Sequence, residues 1–251
     1  MNQNIYPLIS IITVVYNGAK TLDQTIQSVL NQTYKNIEYI IIDGGSKDGT
    51  LDIIKSYENQ ISLWVSEPDK GLYDAMNKGI KLANGELIGM INSDDWYERN
   101  AVELIVESYL QNPVKQIFHG DRFDVFENET RKVRKFHPSR FKFIYYGMTY
   151  NHPSMFIHRD IYANELYNIK LKALSDYEFV LKQFLKKETI FHYIPKTYVN
   201  YRLDGISAKM KFAAKVKEGY ISRKNANLQF LHRIFSTGIR IIVFTLYRYK
   251  K

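Results

Sequence analysis

The chain has no cysteine. That excludes disulfides, thiolate metal sites and cysteine nucleophiles, and it fits a reducing compartment. Repeats and low-complexity linkers are also missing, so nothing in the composition divides the chain. Three familiar signatures do not occur. No G-x-G-x-x-G follows the first apolar run, which weakens a dinucleotide-binding reading. No G-x-x-x-x-G-K-[ST] is present, against a P-loop nucleotidase, and no G-x-S-x-G elbow is found. The opening MNQNIYPLISIITVVYNG lacks a basic n-region and a small-residue cleavage site, so its short Ile/Val run reads as a buried strand rather than a signal peptide. Acids are nearly missing from the last segment. From Ser207 onward there is one, Glu218, against eleven Lys or Arg, while residues 1–206 balance 24 basic against 25 acidic groups. The net charge of +9 therefore resides in the tail. A nucleic-acid enzyme more usually spreads basic groups along its binding face, and no recognised module organises them here.

What is present is a chain of 251 residues, 45% apolar, enough to bury a sizeable core. Over the first 120 residues, strand-like stretches at 9–15, 39–42, 62–66 and 86–91 alternate with helix-like stretches at 20–32, 51–57, 72–83 and 101–111. Strands that are apolar throughout and alternate with helices predict an α/β fold, with a mostly parallel Rossmann-like sheet flanked by helices on both faces. Ligands of such sheets bind beyond the carboxyl ends of the strands. Tyr16-Asn17, Asp43-Gly44-Gly45, Glu67-Pro68-Asp69 and Asn92-Ser93-Asp94-Asp95 fall there. After residue 116 the pattern changes: paired strands at 116–126 and 132–136, an irregular aromatic stretch at 141–155, helices at 159–166 and 176–186, and strands at 190–194 and 197–201. This second half reads as a lobe packed on the first sheet, and from residue 208 the chain is helical and basic to its end.

Adjacent carboxylates such as Asp94 and Asp95, leaving a buried strand, repel each other unless something neutralises them. A divalent cation carrying a diphosphate does so, because hard ions take oxygen ligands; a helix-capping role for either Asp is the competing explanation. In Asp43-Gly44-Gly45-Ser46-Lys47-Asp48-Gly49-Thr50, glycines allow close backbone approach to a ligand, and Asp43 offers an acceptor for an imide N–H. A tight turn capped by Ser46 or Asp48 explains the same residues. Tyr16 suits stacking on a base, or an edge position.

The order of these stretches is more specific than any one of them. ISIITVVYNGAKTLDQTIQSVLNQTYKNIEYIIIDGGSKDGT followed by SEPDKGLYDAMNKGIKLANGELIGMINSDDWY resembles the family 2 glycosyltransferases, inverting enzymes of the GT-A fold, and in particular those that build colanic acid, O-antigen and capsule. The resemblance is dense over residues 8–97 and thinner to about 207. It implies that Thr13, Val15 and Tyr16 line the nucleobase and ribose pocket and that Asp43 reads the base. Gly71 would face the diphosphate, with Lys70 as counter-charge. Asp94 would serve donor and metal, Asp95 the metal, Mn²⁺ or Mg²⁺. Asn92 stands where a third acid is commonest. Asp176 in Leu174-Ser175-Asp176-Tyr177-Glu178 would be the catalytic base, with Glu178 the second candidate; helix capping is the alternative for Asp176. His152 and Arg202 would lie on the acceptor side, although a structural His152 is an equal alternative. Asp204 stands where some members carry His.

The expected function is transfer of one sugar from a nucleotide-sugar, a UDP-sugar foremost, to a lipid-linked saccharide acceptor. Residues 1–207 would form the catalytic domain, with a donor half at 1–120 and an acceptor half at 121–207, and residues 208–251 a basic helical tail. Residues 234–251, just after Arg233, interleave Ile, Phe, Leu and Val with Arg240, Arg248, Lys250 and Lys251, in a run too short and too interrupted by Arg240 to span a bilayer. An amphipathic helix lying on an anionic membrane surface fits, as does a helix packed on the catalytic lobe. The expected place is the cytoplasm, peripheral on the inner face of the membrane. Two other functions remain open: a metal-dependent nucleotidyltransferase, which usually carries a Gly-rich basic N-terminal loop that is not seen here, and a non-catalytic nucleotide-sugar binder of the same fold.

Overall fold

The computed structural model describes residues 6–203 and 210–248. Its first half carries the expected alternation: β1 (Ile9–Val15), α1 (Leu22–Leu30), β2 (Ile37–Asp43), α2 (Thr50–Ser56), β3 (Leu63–Ser66), α3 (Leu72–Leu82), β4 (Leu87–Asn92), a two-residue β5 (Trp96–Tyr97) and α4 (Ala101–Gln111). β1 pairs in parallel with β2 and β4, and β2 with β3, giving the order β3-β2-β1-β4. Because these strands are covered on both sides, they need apolar residues at every position rather than at alternate ones. Ile12, Val14, Ile40, Ile42, Ile88 and Met90 fill one face, and Ile9, Ile11, Ile41 and Ile91 fill the other. Parallel pairing also brings Val15, Asp43, Ser66 and Asn92 to one edge, where the suggestive loops begin.

The second half continues the same sheet with antiparallel members. β6 (Ile117–Val125) forms the expected hairpin with β7 (Arg131–Arg134), and a short β8 (Phe156–His158) sits antiparallel between β4 and β6. α5 (Arg159–Asn164) and α6 (Ser175–Lys187) follow. The two strands expected at 190–194 and 197–201 are one, β9 (Phe191–Arg202), parallel to β6. Ile194 stands opposite Gly120 and Thr197 opposite Asp121, so Pro195 and Lys196 bulge out of the ladder. Proline has no N–H to donate, and a bulge is where a strand accommodates it. The sheet is thus parallel through the first half and mixed beyond β4.

The irregular stretch contains one turn of π-helix, Lys142–Tyr146, and a 3₁₀ turn, His152–Ser154. The tail is two helices, α7 (Phe212–Asn225) and α8 (Phe230–Arg248), joined through Asn227 at a φ of +59°. α7 packs on α6, and α8 packs on α7 and on the 142–146 turn. Asp204 and the rest of 204–209 lie outside the described residues, as do residues 249–251.

Candidate functional site

The carboxyl edge of β1–β4 brings the loops of four strands together. After β1, Tyr16 is 64% exposed, the backbone N–H of Asn17 donates to Ser46 Oγ (2.7 Å), and that of Gly18 donates to Thr50 Oγ1 (2.9 Å). A Cβ on Gly18 would meet Ser93 Oγ at 3.1 Å, and one on Gly44 would collide with the Asp69 carboxylate. The loops after β1, β2, β3 and β4 therefore touch, and the glycines permit it. Gly71, at a φ of +112°, precedes α3. Its N–H donates to Asp69 Oδ1 (2.7 Å), while the N–H of Lys70 donates to Asp74 Oδ2 (2.9 Å) and the Lys70 side chain stays exposed.

Three of the residues expected to meet the nucleobase are placed differently from one another. Tyr16 stands free at the edge. Val15 is buried beneath it. Thr13 lies inside the sheet and shares a 3.0 Å hydrogen bond with the Tyr39 hydroxyl, so it supports the pocket floor instead of lining it. Asp43 is 0% exposed, and its carboxylate accepts from the N–H groups of Gly45 and Ser46 and from Ser66 Oγ (2.6 Å). In this arrangement it organises the turn. Most of these bonds go to Oδ2, while Oδ1 takes one at 3.3 Å from the Ser46 N–H, so burial is what separates the carboxylate from a base.

The acidic pair is not a helix cap. Asp95 is followed by β5, and α4 begins at Ala101 after Asn100. Asp95 is 1% exposed; its Oδ1 accepts the Arg202 N–H (2.9 Å) and its Oδ2 accepts Asn92 Nδ2 (3.1 Å). Burial, then the charge of Asp94, push the Asp95 carboxyl well above the usual carboxylate range. A cation beside the pair reverses both effects, so the chemistry of the donor set fits a divalent ion. Among the described residues no cluster of three or more His, Cys, Asp or Glu forms a protein cage. The remaining positions around an ion held by Asp94 and Asp95 would fall to phosphate oxygens and water, as Mg²⁺ sites commonly arrange. Asn92, at the position where the resemblance puts a third acid most often, donates to Asp95 and so cannot be replaced by a carboxylate without adding repulsion.

Arg202 also belongs here. β5 pairs with the end of β9 through Trp96 and Asn200, and the Arg202 guanidinium lies 4.6 Å over the Trp96 ring and donates to Gln24 Oε1 (2.9 Å). Its backbone meets Asp95 and its guanidinium also lies 3.6 Å from Glu129, so the last strand returns to the carboxyl edge and joins it to the second half.

Asp176 enters from α6 in the first turn, after Leu174, and is not the capping residue. The carboxylate of Glu218 from α7 instead takes the N–H groups of Lys172, Ala173 and Leu174. Asp176 Oδ1 accepts from the Tyr73 hydroxyl (3.1 Å) and from the Tyr177 N–H (2.8 Å), and both of these bonds go to the one oxygen, not to Oδ2. Tyr73 follows Gly71 by two positions, so the carboxylate stands beside the loop expected to face the diphosphate. Burial, then the Asp176 charge, hold the Tyr73 phenol well above its ordinary pKa, which keeps it a donor. His152 shares a 2.9 Å hydrogen bond with the Tyr167 hydroxyl, and burial lowers its pKa against the pull of Asp176, which favours the neutral ring.

Glu178 does not join them. It is 2% exposed and accepts from Asn168 Nδ2 (3.2 Å), Asn225 Nδ2 (2.8 Å) and Lys182 Nζ (3.1 Å). Two residues along a helix place side chains roughly 200° apart, so Asp176 and Glu178 cannot face one cleft. Glu178 is withdrawn as a candidate base.

The sequence profile described as Glycosyl transferase family 2 matches residues 10–166, more than half of the chain. The chain belongs to glycosyl transferase family 2. Within the family, it is 28% identical over 229 residues to hyaluronan synthase of Pasteurella multocida, covering 90% of this chain and 23% of that protein. It is 29% identical over 228 residues to chondroitin synthase of Escherichia coli, covering 88% and 33%. The chain thus spans a quarter to a third of the length of these relatives. Among solved structures, S. aureus TarS in complex with UDP-GlcNAc superposes with a TM-score of 0.69 at 18% identity, covering 90% of this chain and 69% of that one. A mannosyltransferase from Pyrobaculum calidifontis in complex with GDP-Man and Mn²⁺ gives 0.66 at 12%, covering 97% and 76%. At such identities these likenesses establish the shared GT-A fold and nothing finer.

The sequence reading missed Tyr73 and Tyr167 as partners of Asp176 and His152. Tyr73 lies within the quoted DKGLYDAMNKG run, but no local pattern reveals a contact across 103 positions.

Proposed function

We propose that the chain is an inverting glycosyltransferase that moves one sugar from a nucleoside diphosphate sugar, a UDP-sugar foremost, to a hydroxyl of a lipid-linked saccharide during surface polysaccharide synthesis. The observation that carries this reading is the Tyr73–Asp176 contact, which sets a carboxylate with one uncommitted oxygen beside the loop of Gly71. Family membership supports it, as do the polysaccharide synthases among the relatives and the nucleotide-sugars in the related structures.

In this mechanism Asp176 Oδ2 takes the proton of the acceptor hydroxyl as its oxygen attacks the anomeric carbon in line. The bond from that carbon to the β-phosphate oxygen breaks, and the nucleoside diphosphate leaves with the electron pair. A positioned base of this kind contributes roughly 10²–10⁴-fold. Tyr73 holds Oδ1 so that Oδ2 faces the acceptor. Gly71 and Lys70 meet the departing diphosphate, the one with backbone and the other with charge. Asp94 and Asp95 would hold Mn²⁺ or Mg²⁺, whose chemistry is to neutralise charge on the leaving group. Tyr16 stacks on the base. Neutral His152 faces the acceptor.

Residues 1–207 form the catalytic unit in this reading, and 208–251 bring it to the membrane as a peripheral protein on the cytoplasmic face. Among the described residues no helix is long and apolar enough to cross a bilayer. The outer face of α8 instead exposes Leu231, Ile234, Phe235, Ile241, Ile242 and Leu246 in a chain segment rich in Lys and Arg. An apolar face with basic surroundings suits an anionic interface.

The test is incubation of the purified protein with UDP-, GDP- and dTDP-sugars and Mn²⁺, reading release of nucleoside diphosphate. Hydrolysis of one donor, lost on Asp176→Asn with donor binding retained, is expected. Release that survives this substitution at full rate would overturn the assignment of the base.

A further inference from the structure

Arg223 is a charged side chain in the interior. It is 1% exposed, its Nε donates to the Ile144 carbonyl (2.7 Å) and its Nη1 to the Gly219 carbonyl (2.8 Å), and its Nη2 has no partner. A second guanidinium comes to the same place from α8. A Cβ added at Gly219 would lie 3.0 Å from Arg223 Nη1 and 3.1 Å from Arg240 Nη1, so the two nitrogens straddle one glycine. Arg240 Nη1 also borders Gly147, 3.7 Å from an added Cβ.

No carboxylate balances this pair among the described residues. The nearest acid in the sequence of α7, Glu218, spends both oxygens on the backbone before α6. The groups that act electrostatically on the two arginines are Tyr177, Tyr146 and each other. The Tyr177 ring lies 5.1 Å below Arg223 and offers a π face but no charge. Arginine does not escape by losing its proton. Two like charges therefore stand together, half out of water, with an unused donor between the lobe and the tail. That arrangement calls for an anion, and the guanidinium fork matches the oxygens of a phosphoryl group.

The location narrows the class. Tyr177 is next to Asp176, and Leu174 contacts the same Gly219 position at 3.9 Å, so the pair adjoins the end of α6 that carries the base. Arg240 comes from α8, whose other face is apolar and exposed. We propose that Arg223 and Arg240 bind the phosphate or diphosphate group that joins the acceptor saccharide to its lipid, holding the acceptor between Asp176 and the apolar face of α8. The proposal rests on the transferase reading above. The same chemistry would accept free phosphate, and the experiment separates the two sources.

The 251-residue chain, with its donor site saturated by UDP and Mg²⁺, is titrated with inorganic phosphate and separately with farnesyl phosphate, followed by calorimetry. Both are expected to bind, and Arg240→Gln is expected to weaken both by about tenfold or more, the loss of one charge-assisted hydrogen bond. Arg240→Lys should recover part of the affinity, which a merely structural role would not produce in a protein with unchanged melting temperature. Tighter binding of farnesyl phosphate than of phosphate identifies the lipid-linked source; equal binding identifies free phosphate as the occupant. Absence of binding by either probe, or affinities unaltered in Arg240→Gln, overturns the site. Donor hydrolysis, measured without acceptor, should be unchanged in Arg240→Gln. Its absence in the unsubstituted protein would defeat the transferase reading, while the phosphate titration still judges the arginine pair.

Discussion

The hydroxyl of Tyr73 donates a 3.1 Å hydrogen bond to Asp176 Oδ1, joining the helix behind the Gly71 loop to the helix that presents the proposed base. The contact spans the two halves of the chain. With the Tyr177 N–H it holds Oδ1 and so orients the carboxylate; in the proposed mechanism Oδ2 accepts the proton.

Replacing Asp176 with Asn should lower transfer by about 10²–10⁴-fold, because the amide keeps the shape but cannot accept the proton. Donor affinity should change by less than about twofold and melting hardly at all. Calorimetry with the nucleoside diphosphate and a turnover assay together check this.

Tyr73→Phe tests the positioning. Removing the hydroxyl leaves Oδ1 with the Tyr177 N–H alone, and kcat should fall by about tenfold, the scale of one hydrogen bond to a charged group. The KM for donor should stay as it was. A drop confined to KM would assign Tyr73 to donor binding instead.

Asp95 makes a prediction about pH. Its carboxyl is raised by burial and by Asp94, so the folded protein holds this proton to higher pH than the unfolded chain does. Its contribution to stability is therefore present below the unfolded value and is lost as pH rises towards the folded one. In metal-free protein at neutral pH, Asp95→Asn should raise the melting temperature by about 2–4 °C, what about 1 kcal/mol produces in a chain of this size. Mn²⁺ with UDP should stabilise the unsubstituted protein and not the variant. Scanning fluorimetry at several pH values reads both arms.

Glu178→Ala should do the reverse of Asp176→Asn. It strips Lys182, Asn168 and Asn225 of a buried acceptor and should cost about 3 kcal/mol, with Lys182 retaining Glu165 as a partner. Turnover per folded molecule should persist. Denaturant melts and activity at low temperature distinguish the two effects.

The outer face of α8 predicts membrane behaviour. Leu231→Ser together with Ile242→Ser should reduce co-sedimentation with anionic vesicles by about tenfold or more, since each removes an apolar side chain from the interface. Both positions are exposed, so the fold should be unaffected. Undiminished sedimentation would mean that protein, not lipid, covers this face.

Much of the first half was legible because its signals are local. Continuous apolar runs mark β1, β2 and β4, and the helical spacing of Leu22, Ile26 and Val29 marks α1. β5 and β8 were not legible, because two or three residues carry no period, and their pairing partners lie far along the chain. The break in β9 was read as two strands because Pro195 and Lys196 interrupt the pattern, while the ladder to β6 carries on around them. At the site, Asp94, Asp95 and Asp176 were recognisable as types in a familiar order. Whether Asp43 organises a turn, and what the Arg202 guanidinium meets, depended on contacts that residue types do not encode.

Sequence alone determined the α/β alternation, the family and the edge of the sheet at which the loops meet, because periodicity and motif order are properties of neighbours along the chain. Tertiary structure decided which carboxylate is available. Asp176 and Glu178 are alike in charge and two positions apart, yet helix rotation turns one towards Tyr73 and the cleft and buries the other against Lys182.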